Sequence, residues 1–198
     1  MSTVTINTPA IGDALEGGTY AGAIRIGEQL FGIVVAPKAN GETIGIWLDS
    51  DTDLPGAASF FDGRANTEAL AEAGSAIAAW ARALRIADHD DWYVPSRDEL
   101  ELIYRNLKPT THKNWSLRGD NPSSVPAGYA YRPGLPAQTT IEAFRQGGAE
   151  AMDATWYWSS TRDSADWAWI QVFGNGDQGG SGKSFEGRVR AVRRFLID

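Results

Sequence analysis

Alternation of apolar and polar residues marks the strands near the start of the chain. Between residues 20 and 36 two alternating runs flank Gly27-Glu28-Gln29, a pattern typical of a β-hairpin. Residues 44–48 predict a third strand. The first 18 residues carry alternating apolar anchors at Val4, Ile6 and Ile11 but are too short and too rich in glycine to build a core of their own. We therefore expect residues 1–18 to be an extended arm that adds as a strand to a neighbouring subunit.

The apolar spacing changes to three and four in the next part of the chain, which indicates helices. One helix is predicted over residues 66–85, and its shared face holds Leu70, Ala73, Ile77, Trp80 and Leu84. A second helix begins at Ser96, because Ser96-Arg97-Asp98-Glu99 has the order of a capping box. Pro109 ends this helix.

The second half of the chain changes from irregular segments back to strands. Prolines and glycines exclude long regular elements from residues 110–150, although residues 140–146 suit a short helix. Strands resume at Trp156, and residues 188–197 predict the last one. Residues 174–187 contain six glycines and predict a flexible polar loop. This order predicts an α+β fold with two helices on a twisted antiparallel sheet.

Clustered tryptophans provide the main candidate for a binding surface. Trp167 and Trp169 lie on one side of an extended segment, because alternate residues of a strand share a face. Such a pair either fills a core or stacks on a sugar ring or another protein. Amide, carboxylate and ammonium groups suited to sugar hydroxyls follow in the glycine-rich loop. The candidate ligand-binding residues are Trp167, Trp169, Asn175, Asp177, Gln178, Lys183, Glu186 and, from the proline-rich stretch, Trp115.

Plain structural roles compete with these assignments. The glycine-rich segment suits an ordinary hairpin loop equally well, and Trp115 suits a residue that pins an irregular segment to the body of the protein. The segment Asp49–Asp53 does not match a helix–loop–helix calcium site, because Leu54 and Phe60 stand where glycine and glutamate are needed. The two histidines have no nucleophile motif beside them. No catalytic residue, metal or cofactor is predicted.

Composition narrows the function classes further. The 198 residues suit one or two domains and include no cysteine, which excludes disulfides and thiolate zinc sites. The net charge is −7, and residues 1–100 hold 15 acids and 6 bases, so nucleic-acid binding is not expected. The first residues lack the basic and apolar regions of an export signal. No apolar run approaches the ~18 residues that cross a membrane, so membrane insertion is not expected.

Three segments carry a family resemblance. Asp91–Leu100 resembles the signature D-W-R-L-P-T-R-x-E-L, Tyr157–Thr161 resembles Y-W-S-S-T, and Arg188–Arg193 resembles the closing strand V-R-x-V-R. Over about residues 64–195 the chain is thus similar to the C-terminal domain family of the Legionella collagen-like adhesin. Near the start of this chain, Pro9–Asp13 and Gly18–Gly22 also resemble the short phage-encoded members of that family. The calcium-binding triplets Glu-Pro-Asn and Gln-Pro-Asp of sugar-binding lectins are missing.

The resemblance implies a C-type-lectin-like fold, with an arm at residues 1–18 and one domain at residues 19–198. Because folds of this kind bring their termini together, it also implies that the hairpin pairs with the last strand. Together with the missing export signal, it implies a non-enzymatic phage virion protein of the tail fibre or tail tip that recognises a host receptor or glycan. The alternative is a structural virion subunit of the baseplate, fibre attachment or capsid decoration, and a carbohydrate-active enzyme is a third hypothesis. The expected partners are other virion proteins, further copies of the chain, with threefold assembly by analogy to phage fibres, and a host-surface glycan or protein. Assembly of such a virion would take place in the host cytoplasm.

Overall fold

Two five-stranded sheets carry the fold in the computed structural model, which describes residues 9–197. The first sheet contains β1 (Ala14–Leu15), β2 (Gly18–Ile26), β3 (Gln29–Val35), β5 (Ser124–Val125) and β10 (Val192–Ile197). The second contains β4 (Glu42–Ile46), β6 (Trp156–Arg162), β7 (Trp167–Val172), β8 (Gln178–Gly182) and β9 (Glu186–Arg190). Its strand order is β4-β9-β6-β7-β8.

Short helices connect and cover these sheets. They are α1 (Lys38–Gly41), α2 (Gly63–Glu72), α3 (Ala76–Ala83) and α4 (Arg97–Leu107), with 3-10 turns at Pro55–Ala57 and Glu142–Phe144. The single helix predicted over residues 66–85 is wrong, because Gly74 has a φ of +91° and ends the helical path between α2 and α3. Within residues 9–197, no helix has the length and apolar character needed to cross a bilayer.

The predicted hairpin and its pairing with the end of the chain are confirmed. β2 and β3 are joined at Gly27 and Glu28 and pair antiparallel. β10 pairs with the other side of β3, from Val192 opposite Val35 to Ile197 opposite Leu30. The first and last thirds of the chain therefore share one sheet, and the mixed α+β class is confirmed.

The single strand predicted over residues 188–197 is divided between the two sheets. β9 ends at Arg190 in the second sheet, and β10 begins at Val192 in the first. Ala191 lies buried at the crossing, where its amide donates to the carbonyl of Gly41 and its carbonyl accepts from the amide of Ala36. The prediction of one sheet is corrected by this crossing, which uses one extended segment to join two sheets.

The start of the described chain is integrated into the first sheet. β1 pairs with Gly18 and Thr19, and the Gly12 amide donates to the carbonyl of Tyr20. Ile11 packs against the buried cluster beneath α4. Residues 9–18 thus belong to the domain and are not part of an extended arm, which corrects the predicted arm boundary. The strand-donating role predicted for the arm then falls on residues 1–8, which lie outside the described residues.

Residues of the signature segments lie in the core. Trp92 and Trp158 are 1% and 0% exposed, and Val189 and Val192 are both fully buried. One buried cluster lies between the first sheet and α4, and a second surrounds Trp158 next to α2 and α3. The motif residues therefore act mainly as scaffold.

The arginines of the closing segment clamp carboxylates at the joint between the sheets. Arg190 is fully buried and its guanidinium lies 3.2 Å from Glu42 and 2.6 Å from Glu150. Arg193 donates to Asp91 at 2.7 Å and also pairs with Glu16. These buried ion pairs hold the two sheets together at their joint.

Candidate functional site

The capping box predicted at Ser96 places the first residue of α4 against the second sheet. The Ser96 hydroxyl accepts a hydrogen bond from the Glu99 amide, and the Glu99 carboxylate accepts one from the Ser96 amide at 2.7 Å. The Arg97 amide donates to the Thr161 hydroxyl of β6 at 3.0 Å. Because both contacts fix the backbone at this end, the Arg97 side chain leaves the helix in a defined direction.

Two aromatic rings hold the Arg97 guanidinium. Its central carbon lies 4.9 Å from the ring centroid of Phe60 and 5.2 Å from that of Trp169. The two rings meet edge to face, with centroids 5.8 Å apart. Arg97 also donates to Asp98 at 2.9 Å and to Gln178 at 3.1 Å. This arrangement is rigid, because a planar cation held by rings and hydrogen bonds has few alternative positions.

A surface cavity of about 670 Å³ opens in front of this arginine. Its lining includes the Phe60 and Phe61 rings, which are each 40% exposed. The lining also includes the exposed Asp120 carboxylate and the Ser123 hydroxyl, which donates to the buried Asp98 carboxylate at 2.7 Å. Aromatic walls beside carboxylate and hydroxyl groups suit a ligand that has one apolar face and several hydroxyls.

The aromatic surface continues along β7. Trp167 is 49% exposed and Trp169 is half-buried on the same side of the strand. Gly180 of β8 lies beside Trp167, and a Cβ there would approach the indole to 3.1 Å. The glycines of β8 thus leave room for the indole above the strand. We call the surface formed by Phe60, Phe61, Arg97, Trp167 and Trp169 the aromatic–arginine face.

Two of the predicted ligand residues have buried side chains. Gln178 is 2% exposed, accepts from Arg97 and donates to Gln171 at 2.9 Å. Lys183 is 1% exposed, and its ammonium donates to the carbonyls of Thr52 and Ala165. The flexible loop predicted at residues 174–187 is also corrected, because β8 occupies its centre. Gln178 and Lys183 hold strands and loops together here and do not face a ligand.

The remaining predicted residues fall into separate places. The Trp115 amide donates to the Asn175 carbonyl at 2.7 Å, and Asp177 lies 3.3 Å from Arg118, so these residues meet at the turn between β7 and β8. Trp167 and Trp169 belong to the aromatic–arginine face. Glu186 is exposed at the start of β9, where it pairs with Ile46.

Phe60, Phe61 and Arg97 belong to the face but are not among the site residues predicted from the sequence. A signal for the first two exists in the sequence, since adjacent phenylalanines stand in a segment without helical or strand periodicity. Arg97 belongs to the capping-box segment, which predicts only the start of a helix. No local pattern predicts that Phe60 and Trp169 will enclose its side chain.

Metal ligation has little support in the described part of the chain. Residues 9–197 contain no group of three or more side chains able to hold a metal ion together. Asp49, Asp51 and Asp53 are exposed, and Asp53 lies 2.9 Å from Arg162. The segment therefore has the character of a polar turn.

Two buried carboxyl groups at the start of α4 make stability depend on pH. Burial raises the pKa of Asp98 to about 6 and that of Glu99 to about 7. Unfolded carboxyls titrate near pH ~4. Because the folded pKa values are the higher ones, the folded state binds more protons between those limits. The contribution of these two groups to stability therefore rises as the pH falls from above 7 towards about 5.

We expect denaturant unfolding of the wild type to require more urea at about pH 5.5 than at about pH 8. The matched variant is Glu99→Gln, which can still accept from the Ser96 amide and donate to the Tyr93 hydroxyl. Its unfolding midpoint should change less between the two pH values, because one titrating group has been removed. An equally steep pH dependence in both proteins would contradict this assignment.

The fold and the face together define a mixed α+β domain that presents an aromatic surface on a rigid scaffold. The chain belongs to the Lcl C-terminal domain family, which it matches over residues 45–193. This match confirms the resemblance predicted from the three signature segments, and it extends towards the amino terminus as far as β4.

A solved structure provides a more distant comparison. The chain is similar to a fimbrial protein from Bacteroides ovatus ATCC 8483, with 16% sequence identity and a TM-score of 0.47. The similarity covers 83% of this chain and 36% of the fimbrial chain, so this chain spans about a third of that protein. The comparison with curated proteins gave no match.

Proposed function

We propose that this chain is a non-enzymatic recognition domain that binds a cell-surface saccharide at the aromatic–arginine face. The observation that carries the proposal is the cavity beside Phe60 and Phe61, whose lining combines these exposed rings with the exposed Asp120 carboxylate and the partly exposed Ser123 hydroxyl. Aromatic rings stack on the apolar face of a sugar ring, while carboxylate and hydroxyl groups bind its hydroxyls. Arg97 supports the site by keeping Phe60 and Trp169 in place.

The proposal extends to the setting in which the domain works. We place it in a phage virion, as a tail fibre or tail tip protein with a C-type-lectin-like fold. The family match, the resemblance of the opening residues to phage-encoded members and the pairing of β3 with β10 support this setting. Single sites of this kind bind weakly, at roughly millimolar to micromolar dissociation constants. A homo-oligomer such as a trimer would present several copies of the face and so supply the working avidity.

Removal of exposed rings should weaken adhesion without weakening the fold. We expect Phe61→Ala and Trp167→Ala each to reduce saccharide affinity by about tenfold, since each removes one stacking surface. Glycan-array binding and host-cell adsorption of the purified protein measure the effect. Ile44→Ala is the matched control, because Ile44 is 55% exposed on β4 at the opposite edge of the same sheet.

The result also separates recognition from a structural role. Both ring variants should keep the wild-type unfolding midpoint, and the Ile44→Ala variant should adsorb like the wild type. If the wild type binds no saccharide and the ring variants adsorb normally, a structural virion subunit replaces the recognition domain.

A further inference from the structure

Three apolar side chains project from an irregular region that the aromatic–arginine face does not use. Trp115, Leu117 and Leu135 are 55%, 85% and 45% exposed. They belong to two segments, residues 112–118 and 132–135, which we call the basic tip. Exposed apolar groups of this size on neighbouring segments indicate a contact surface, since single scattered ones would not.

Buried hydrogen bonds hold the two segments of the basic tip together. The Asn114 amide donates to the Pro133 carbonyl at 2.9 Å, and its side-chain amide donates to the Arg132 carbonyl at 3.0 Å. The Asn114 side-chain oxygen accepts from the Tyr104 hydroxyl at 2.6 Å and from the Lys108 ammonium at 2.7 Å. The tip is therefore anchored directly to α4 and to the residue that follows it.

This anchoring supports an unfavourable backbone geometry at the end of the tip. Leu117 has a φ of +68°, a left-handed conformation that side chains other than glycine seldom adopt. The Arg118 carbonyl accepts from the Tyr131 amide, and the Trp115 amide donates to the Asn175 carbonyl. A leucine that is held in this conformation and is almost fully exposed does not stabilise the folded state, which points to a role in contact with a partner.

The charge around the apolar groups has the opposite sign to that of the whole chain. The two segments of the basic tip contain Lys113, Arg118 and Arg132 and no acidic residue, whereas the chain has a net charge of −7. Lys113 and Arg132 are exposed, and neither has a carboxylate within 4.0 Å in residues 9–197. Arg118 is also exposed and lies 3.3 Å from Asp177. The apolar side chains of the basic tip are thus flanked by the basic side chains of Lys113, Arg118 and Arg132.

We propose that the basic tip docks on an anionic lipid surface. Trp115 and Leu117 enter the headgroup layer, and Lys113, Arg118 and Arg132 contact the negatively charged headgroups. Tryptophan favours the membrane interface, and exposed basic residues add electrostatic attraction to anionic lipids. Leu117 favours lipid over saccharide, because its side chain offers neither a ring face nor a hydrogen bond. The contact is peripheral: side chains of the basic tip enter the headgroup layer, and no helix within residues 9–197 is long and apolar enough to cross the bilayer.

Vesicle flotation tests this docking directly. The wild type should float with vesicles of phosphatidylcholine mixed with phosphatidylglycerol, and poorly with phosphatidylcholine alone. High salt should weaken its binding to the mixed vesicles. A Trp115→Ser/Leu117→Ser double variant should bind the mixed vesicles at least about tenfold more weakly. A Lys113→Gln/Arg132→Gln double variant should lose most of the preference for anionic lipid.

Control variants make the outcome decisive. Ile44→Ser removes an equally exposed apolar side chain elsewhere and should leave flotation unchanged. Phe61→Ala and Trp167→Ala should also float like the wild type, so a failure of saccharide binding and a failure of lipid docking can be told apart. The proposal is overturned if the wild type ignores anionic vesicles or if the Trp115→Ser/Leu117→Ser variant binds them normally. Host-cell adhesion that needs the basic tip, without any vesicle binding, would assign the tip to a protein partner instead.

Discussion

Replacement of Trp158 by alanine is expected to lower the free energy of unfolding by about 3–5 kcal/mol, as deletion of a large buried aromatic side chain does. Trp158 is 0% exposed, and its ring meets that of Trp156 edge to face at 5.0 Å. Its indole nitrogen donates to the Gly45 carbonyl at 3.2 Å. The substitution therefore leaves both a cavity at the centre of the second sheet and an unpaired carbonyl.

Urea unfolding measures this loss, and Trp167→Ala provides the control on the neighbouring strand. Trp167 is 49% exposed, so its removal should cost less than about 1 kcal/mol. An unchanged unfolding midpoint in the Trp158→Ala variant would show that the indole does not support the core. The signature segment Tyr157–Thr161 would then need a role other than scaffold.

Features that depend on neighbouring residues could be predicted from the sequence. The β2–β3 hairpin follows from alternation around Gly27, and the start of α4 follows from the spacing of Ser96 and Glu99. Both are decided within a few residues, because a turn and a capping box are local hydrogen-bonded units. The burial of Trp158 could be predicted for a similar reason, since a large apolar side chain in a strand is seldom left exposed.

Features that depend on pairing between residues far apart in the chain could not be predicted from the sequence. Nothing near Ala191 indicates that one extended segment will serve two sheets, because the crossing is set by its contacts with Ala36 and Gly41. β8 consists of glycine and serine after Gln178, a composition that predicts a loop. It is a strand because β7 provides a complete partner from Gln171 to Trp167.

The candidate site shows the same division. The strand period placed Trp167 and Trp169 on one face, and both take part in the aromatic–arginine face. The glycine-rich segment predicts that Gln178 and Lys183 contact a ligand, because polar groups in such a segment are usually solvated. Lys183 is buried because carbonyls from two distant loops satisfy its ammonium, and burial lowers its pKa. Side-chain type alone does not distinguish a polar group that reads a ligand from one that joins loops.

The buried arginine at the joint between the two sheets should be as sensitive as the core. Arg190 is fully buried, and it donates to the Ala36 carbonyl at 2.6 Å as well as to Glu42 and Glu150. The side chain of Glu42 is only 7% exposed. Removal of the guanidinium would therefore leave the Glu42 carboxylate without its buried partner and with the more exposed Arg188, also at 3.2 Å, as its nearest cation.

We expect Arg190→Met to lower the free energy of unfolding by about 3–5 kcal/mol, because methionine keeps much of the stem but not the charge. Arg188→Met is the control, since Arg188 pairs with Glu42 and Asp153 but its side chain is 32% exposed, and its loss should be smaller. Adding Glu42→Gln to Arg190→Met should restore part of the stability, because the carboxylate that has lost its buried partner is then replaced by a neutral amide. Urea unfolding of the four proteins measures these differences. If Arg190→Met is as stable as the wild type, or if the second substitution restores nothing, the joint is held by packing around Ala191 and not by the buried ion pairs.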